Sequence, residues 1–318
     1  MDITLAFIIF IAAFILLIKS ADFFVDGAVG AARLLHLPRI IIGIVIVGLC
    51  TTLPEFAVSV QAAYLGHPEI ALGNAVGSVV ADDAFALALG AVIAPYILVN
   101  KRILKRFGVF LLFAAFLSYF LAFDAKVTRL EGLLLASLLI VYYVYLLRTG
   151  RQMVGEPEVE EGRHVSPRKT VFLLILGALG IVVSSRLVID SAIVIAAFFG
   201  VPEVVIGLTA IALGTSLPET STVAVSARKG YGDLAVGNIL GADVLNILWI
   251  LGVSAAVNPI TVAPETIAFS YPWMLLVVAT MLSLMRLNYK LTRWKGVLLF
   301  SLYVIYIYQL AVTFYFKP

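Results

Sequence analysis

Long apolar stretches separated by short polar loops run through the whole chain of 318 residues. A helix needs about 20 residues to cross the roughly 30 Å hydrocarbon core of a bilayer, and ten stretches are of about that length or longer. The pattern predicts an all-α membrane protein with ten transmembrane helices. The predicted spans cover residues 3–31, 39–65, 69–98, 107–123, 130–147, 170–199, 203–228, 232–256, 265–285 and 293–315.

Composition agrees with this class and excludes a soluble globular domain. Hydrophobic residues make up 62% of the chain and charged residues 13%, and the mean hydropathy is +1.09. The first apolar run carries Lys19, Asp22 and Asp26 without a small-residue cleavage site, so we expect a retained helix and no signal peptide. A single cysteine, Cys50, excludes an internal disulfide framework.

Lys and Arg are distributed unevenly between the predicted loops. Most of the 22 basic residues lie in loops that follow odd-numbered spans, whereas the other loops and the tails hold only Lys126, Arg129 and Lys317. Basic loops face the cytoplasm, so both termini are predicted on the non-cytoplasmic side of the cell membrane. The longest polar segment, residues 148–169, is predicted as a cytoplasmic linker between two halves.

Two similar segments lie 164 positions apart. Thr51-Thr52-Leu53-Pro54-Glu55 matches Thr215-Ser216-Leu217-Pro218-Glu219, and Gly73-Asn74 matches Gly237-Asn238. Each copy holds five predicted spans, and an odd number of crossings makes the second copy enter from the opposite face. We therefore expect two inverted-topology five-helix repeats, at 1–147 with a motif at 43–90 and at 170–318 with a motif at 207–254.

The two glutamates are predicted to lie near the middle of the membrane. A hairpin that turns near His67 places Glu55 and Ser78 about 16 to 18 Å from the turn, and a turn at Tyr231 does the same for Glu219. Carboxylates are costly at that depth and usually serve function. The equivalence of the boxes predicts that both acids line one site.

Oxygen ligands are abundant around these glutamates. Asn74, Ser78 and Asp82 share one face of the third span. Pro54 and Pro218 interrupt their helices and are expected to free the carbonyls of Cys50 and Gly214. An all-oxygen set suits hard cations such as Ca²⁺ or Na⁺, and the absence of His and Cys at matching box positions disfavours zinc or copper. No cofactor is expected.

The boxes are similar to the α-repeats of the cation/Ca²⁺ antiporter superfamily, which carry G-T-S-x-P-E and G-N-x-x-G-S-N-type motifs once in each half. The resemblance covers essentially the whole chain. It implies a ten-helix antiporter and no enzyme, with Ca²⁺ coordinated by Glu55 and Glu219 together with Thr51 and Thr215. In the sodium-coupled branch, Thr52, Ser216 and Ser78 would line Na⁺ positions, and the first and sixth spans would slide.

Several positions depart from the family pattern. Sodium exchangers of this type pair an asparagine in the first repeat with an aspartate in the second, whereas this chain has Asp82 and then Asn246. Ala242 lacks the hydroxyl of Ser78, which leaves the number of Na⁺ sites open, and Asp243 stands where the first copy has Val79. The complete set of candidate cation ligands is Glu55, Glu219, Thr51, Thr215, Thr52, Ser216, Ser78, Asp82, Asn246 and Asp243.

The predicted function is secondary active exchange of Ca²⁺ for Na⁺ by alternating access, because the two ions would compete for shared carboxylates. Coupling to H⁺ and transport of Mg²⁺ or Mn²⁺ remain alternatives. An intramembrane protease is a weaker one, since the paired acids are glutamates after Leu-Pro. Expected partners are the lipid bilayer and inorganic cations, without nucleic acid. The oligomeric state is open, and a monomer is plausible.

Other acidic residues have simpler interpretations. Glu69 and Asp233 begin predicted helices, where a carboxylate is favoured by the helix dipole. Asp22, Asp26 and Asp190 are expected to serve structure, for example by pairing with Lys19 or Arg186. Asp83 is about 100° around the helix from Asp82, so it is predicted to face a different neighbour. A role as an accessory proton site is the alternative.

Overall fold

The computed structural model describes residues 2–154, 166–200 and 214–315, which are almost entirely helical. Eight described helices are long and apolar enough to cross a membrane, and a ninth candidate is a pair of helices bent by 47°. The predicted span at 203–228 begins outside the described residues, and only its second half is seen. The helices are α1 (Ile3–Leu35), α2 (Arg39–Thr51), α3 (Leu53–Tyr64), α4 (Pro68–Ile93), α5 (Lys101–Ala122), α6 (Arg129–Val154), α7 (Pro167–Phe198), α8 (Leu217–Arg228), α9 (Gly232–Val257), α10 (Thr266–Arg286) and α11 (Arg293–Tyr315).

Two helices extend beyond the apolar stretches that predicted them. Asn100 accepts hydrogen bonds from the amides of Arg102 and Ile103, so α5 begins at Lys101 and its basic residues lie in the first turns of the helix. At the other end of the half, α6 continues to Val154 and takes in the start of the predicted linker. Residues 155–165 of that linker lie outside the described part of the chain.

Helices α4 and α9 form the centre of the bundle. Their most apolar windows are 72% and 83% buried inside the protein, whereas those of the other long helices are 22–44% buried. The long helices α1 and α7 pack along each other at the side, where a Cβ atom at Gly27 would lie 2.8 Å from the backbone nitrogen of Leu174. Residues that belong to the centre are therefore shielded from lipid by the surrounding helices.

Close helix crossing brings α2 against α9. A Cβ atom at Gly43 would lie 2.7 Å from the carbonyl oxygen of Leu234, so only glycine allows the two backbones to approach this far. The contact joins an element of the first half to the central helix of the second half.

Two short antiparallel ladders connect the halves at opposite ends of α5. Strand β1 (Tyr96–Leu98) pairs with β4 (Lys290–Thr292), and β2 (Lys126–Val127) pairs with β3 (Ile260–Thr261). A shift of 164 positions places β1 on β3 and β2 on β4, so the two ladders are equivalent under the sequence repeat.

Candidate cation site

Glu55 and Glu219 each lie in the first turn of a helix that follows a break. Helix α2 ends at Thr51, the backbone turns at Thr52, and α3 begins at Leu53 with Pro54 in its first turn. Ser216 and Pro218 repeat this arrangement before α8. Both carboxylates are buried, with at most 1% of either residue exposed, and they interact electrostatically with each other. The two acids thus face one site, at positively polarised helix ends.

The break itself differs from the predicted interior proline. Because α2 stops at Thr51 and a new helix starts, Pro54 occupies a first-turn position that needs no amide donor. The carbonyl of Gly48 accepts hydrogen bonds from the hydroxyls of Thr51 at 3.2 Å and Thr52 at 2.9 Å. These hydroxyls are therefore held at the break, beside Glu55.

Thr51 connects the two halves of the site. Its hydroxyl lies 3.1 Å from the Oδ1 atom of Asn238 on α9 and is close enough to the carboxylate of Glu219 to interact with it. Thr52 and Ser216 are buried, and Thr215 is half-buried. Ser216 lies near the Asp82 carboxylate. The structure brings these hydroxyls to the same region as the two glutamates.

The polar faces of α4 and α9 meet across the centre. The amide of Asn246 donates to the Oδ2 atom of Asp82 at 3.4 Å, and both residues are fully buried. Asp82 interacts electrostatically with Glu219 and Glu55, and Ser78 is buried one turn earlier on α4. The predicted acid and amide therefore face each other, in the order reversed from the family pattern.

Two asparagines belong to the site although they were not among the candidate ligands. Asn238 accepts from Thr51, and Asn74 donates to the Ser59 hydroxyl at 2.9 Å and to the Glu55 carbonyl at 3.3 Å. Both belong to the repeated Gly-Asn pairs, so the repeat contained the signal. The buried hydroxyls of Thr222 and Ser226 extend a polar stripe from Glu219 along α8 and have no hydrogen-bond partner among the described residues.

Asp243 also lies in the interior, but it faces Asp83 more directly than it faces the glutamates. The two carboxyl groups interact through their oxygens, and both residues are fully buried. Asp83 thus has a different neighbour from Asp82, as predicted.

The central carboxyls are buried without basic partners. In the described residues, none of Glu55, Glu219, Asp82, Asp83 and Asp243 forms an ion pair with Lys or Arg. Their oxygens lack hydrogen-bond partners of normal geometry, with the exception of the Asp82 Oδ2 atom. In their ionised form, carboxylates in such a setting would be stabilised by bound cations. No three His, Cys, Asp or Glu side chains of the described chain form a metal centre by themselves, so hydroxyl, amide and carbonyl oxygens would have to complete any cation shell.

The other acidic residues singled out in the sequence form contacts outside this site. Glu69 and Asp233 occupy first helical turns as predicted, and Asp233 pairs with Arg39 at 3.0 Å. Asp190 pairs with Arg186 on the same helix. The ion pairs of Asp22 and Asp26 are to Arg228 and Lys229 at the end of α8, where the sequence suggested Lys19.

Comparisons with known proteins agree with this architecture. The sodium/calcium exchanger protein family matches residues 5–148 and 169–312. The putative antiporter CaxA of Alkalimonas amylolytica is 33% identical over 96% of this chain and 98% of its own length. The sodium/calcium exchanger MaX1 of Methanosarcina acetivorans is 29% identical over 98% of this chain and 99% of its own.

Solved structures show the same fold. The sodium-calcium exchanger NCX_Mj, soaked without Na⁺ and Ca²⁺, superimposes with a TM-score of 0.85 at 28% identity, over 97% of this chain and all of that chain. Together with the apolar helices, these likenesses establish a multi-pass integral membrane protein. Since the family matches both halves, the chain belongs to the sodium/calcium exchanger protein family.

Proposed function

We propose that the protein is a secondary active antiporter that exchanges Ca²⁺ for Na⁺ by alternating access. The observation that carries the proposal is the pair of buried glutamates, Glu55 and Glu219, which interact across the two halves at equivalent helix breaks. Family membership supports cation exchange and gives no reason to expect an enzyme. Ca²⁺ and Na⁺ are the transported substrates in this proposal.

The proposed topology has ten spans in two inverted repeats, with both termini on the non-cytoplasmic side. Local irregularities support it because they recur about 164 positions apart. The π-helical turns at Asp82–Ala86 and Leu245–Ile250 correspond, as do those at Leu104–Gly108 and Thr266–Ser270. Ala125 and Tyr289 both adopt left-handed backbone conformations, with φ of 66° and 50°.

The coupling rule follows from charge. Glu55, Glu219 and Asp82 repel one another at low dielectric unless cations neutralise them. Ca²⁺ would be held by the two glutamates together with Thr51 and Thr215, while Na⁺ ions would use the same carboxylates with Thr52, Ser216, Ser78 and Asn246. Because the ions share ligands, one must leave before the other binds. Exchange results if the loaded site alone closes and reopens on the other face.

Flux into vesicles tests the proposal. The purified protein is reconstituted into liposomes loaded with NaCl, and uptake of ⁴⁵Ca²⁺ is measured after dilution into choline chloride. Wild-type protein should take up Ca²⁺, whereas Glu55→Gln and Glu219→Gln should reduce uptake to background. Glu69→Gln is the matched control, because Glu69 belongs to the same helical hairpin but its side chain is 59% exposed.

The coupling ion is identified by changing the gradient. Uptake driven by Na⁺ but not by K⁺ or H⁺ gradients supports the proposed exchange. Uptake driven only by an H⁺ gradient would identify H⁺, and not Na⁺, as the coupling ion. Retained exchange in Glu55→Gln would refute the proposed site.

A further inference from the structure

Ion pairs hold α1 against the end of α8, on the side of the bundle that the basic loops predict to be cytoplasmic. The Arg228 Nη2 atom lies 2.6 Å from the Asp22 Oδ1 atom. The Lys229 Nζ atom lies 2.7 Å from the Asp26 Oδ1 atom and 3.4 Å from the Asp22 Oδ1 atom. These residues, Asp22, Asp26, Arg228 and Lys229, are called the α1–α8 cluster below.

The sequence repeat does not reproduce the α1–α8 cluster at the opposite end of the bundle. Tyr64 and Leu65 stand at the positions equivalent to its two basic residues. The positions equivalent to its two aspartates are Arg186 and Asp190, which pair with each other at 3.0 Å within α7. The described residues therefore join α1 to α8 by charge, but they do not join α7 to α3 in this way.

A stripe of polar residues on α8 leads from the candidate cation site to the cluster. Thr222, Ser226 and Lys229 follow Glu219 at intervals of three, four and three residues, which places them on one side of α8 and its C-terminal end. Thr222 and Ser226 are fully buried, and their hydroxyls have no hydrogen-bond partner among the described residues. Because burial of an unpartnered hydroxyl is unfavourable, both groups are suited to meet water or ions when the interface opens.

The equivalent stripe on α3 is different in chemistry and in packing. Val58, Ala62 and Leu65 follow Glu55 at the same intervals, and none of the three carries a polar group. Val58 is 42% exposed and Leu65 is 64% exposed. The stripe is therefore polar and buried in α8, but apolar and exposed in α3.

A cavity of about 810 Å³ lies at the end of the interface between α1 and α8. Val29 and Ala32 of α1 line it, together with Ala227 of α8 and Gly230 of the following turn. Glu219 lies eight residues before Ala227, so about 12 Å of helix separates the cavity from the candidate cation site. The polar stripe of α8 crosses this distance.

We propose that the interface between α1 and α8 is the cytoplasmic route of the transported ions, lined by Thr222 and Ser226, and that the α1–α8 cluster is its gate. The proposal rests on the proposed exchange function only for the identity of the ions. Movement of α1 away from α8 breaks three ion pairs and connects the cavity with Glu219 along the two hydroxyls. Each partly exposed pair favours the closed interface by roughly two- to threefold, so together they favour it by about tenfold.

Cysteine labelling tests the gate without requiring transport. Cys50→Ala removes the single native cysteine, and either Ser226→Cys or Thr222→Cys is then introduced. A membrane-impermeant maleimide is added to inside-out membrane vesicles, whose outer surface is the cytoplasmic face, and the labelled protein is purified. Both cysteines should react slowly in this background, because both positions are buried. Faster reaction in right-side-out vesicles would contradict the cytoplasmic assignment.

Asp22→Asn/Asp26→Asn removes the negative charges of the cluster and should raise both labelling rates about tenfold. Asp190→Asn is the matched control, because Asp190 is the repeat equivalent of Asp26 and its pair lies within α7. This control should leave both rates unchanged. Fraying of the end of α8 alone would raise the rate at position 226 but not at position 222, one turn deeper. Unchanged rates in the double variant, or an increase confined to position 226, would overturn the proposal.

Charge exchange distinguishes a gate from a damaged interface. Asp26→Lys should raise both labelling rates, because it places a second cation beside Lys229. Addition of Lys229→Asp restores an ion pair in the reverse order and should return the rates to within about threefold of wild type. Rates that stay high in the exchanged pair would assign the cluster to packing and refute its role as a gate.

Two further variants keep the test decisive. If the double aspartate variant does not fold, Asp26→Asn alone is used, because its carboxylate is 52% exposed. It should raise both labelling rates about two- to threefold. Glu55→Gln, which should abolish exchange, should leave the effect of the cluster variants on labelling unchanged. Loss of ⁴⁵Ca²⁺ uptake and loss of the gate therefore give different results.

Discussion

An ion-pair network fastens α1 to the end of α8, and Lys229 is its central residue. The Lys229 Nζ atom lies 2.7 Å from the Asp26 Oδ1 atom and 3.0 Å from the Asp22 carbonyl oxygen. Only 23% of the Lys229 side chain is exposed. We predict that Lys229→Met, which keeps the aliphatic stem, loosens the C-terminal half of α1 while leaving the fold intact.

The size of the effect follows from the exposure of the partners. The pair with Asp26 contributes about 0.5 kcal/mol because that carboxylate is half-exposed. The charged hydrogen bond to the carbonyl contributes about 1 kcal/mol in its less exposed setting. The sum of about 1.5 kcal/mol corresponds to about a tenfold change in an opening equilibrium.

Hydrogen exchange measures this equilibrium directly. Peptides that cover residues 22–35 should exchange about tenfold faster in Lys229→Met than in wild type. Arg186→Met is the matched control, because Arg186 is the repeat equivalent of Asp22 and forms an exposed pair within α7. That control should change exchange less than twofold, in keeping with the small worth of exposed pairs. Unchanged exchange at 22–35, or an equal change in both variants, would refute the reasoning.

Two further substitutions test the centre and the packing of the bundle. Thr51→Val keeps the side-chain shape but loses the hydroxyl beside Glu219 and its hydrogen bond to Asn238. This variant should bind ⁴⁵Ca²⁺ about tenfold more weakly than wild type. The control Thr220→Val removes only a hydroxyl bonded to a helix carbonyl and should leave ⁴⁵Ca²⁺ binding unchanged. Gly43→Ala would place a methyl group 2.7 Å from a carbonyl oxygen of α9. The free energy of unfolding should therefore fall by about 1–3 kcal/mol, and the midpoint of thermal unfolding should fall with it. An unchanged midpoint would contradict the close crossing of α2 and α9.

Apolar periodicity and the repeat were sufficient to predict much of the bundle. The turn expected near His67 lies between α3 and α4, and the acids expected to converge do interact. These features depend on local sequence and on symmetry. Helix ends were less predictable, because the cap at Asn100 and the extension of α6 depend on hydrogen bonding, which hydropathy does not record.

Contacts between distant segments could not be predicted from one sequence. The partners of Asp22 and Asp26 lie more than 200 positions away in the chain, and only the packing of α1 against α8 selects them. The meeting of Asp83 with Asp243 is of the same kind. Helical periodicity gives the direction of a side chain around its own axis, but it does not identify the neighbouring helix on that side.

The pairing of β1 with β4 and of β2 with β3 restricts which helices can move during the proposed transport cycle. Both ladders join one half to the other, one beyond each end of α5, and main-chain hydrogen bonds at two separated places resist a rocking motion of whole halves. The helices between the two ladders are thereby linked to the other half at both ends. In the proposed transport cycle we therefore expect α1 and α7, which flank no strand, to be the helices that shift.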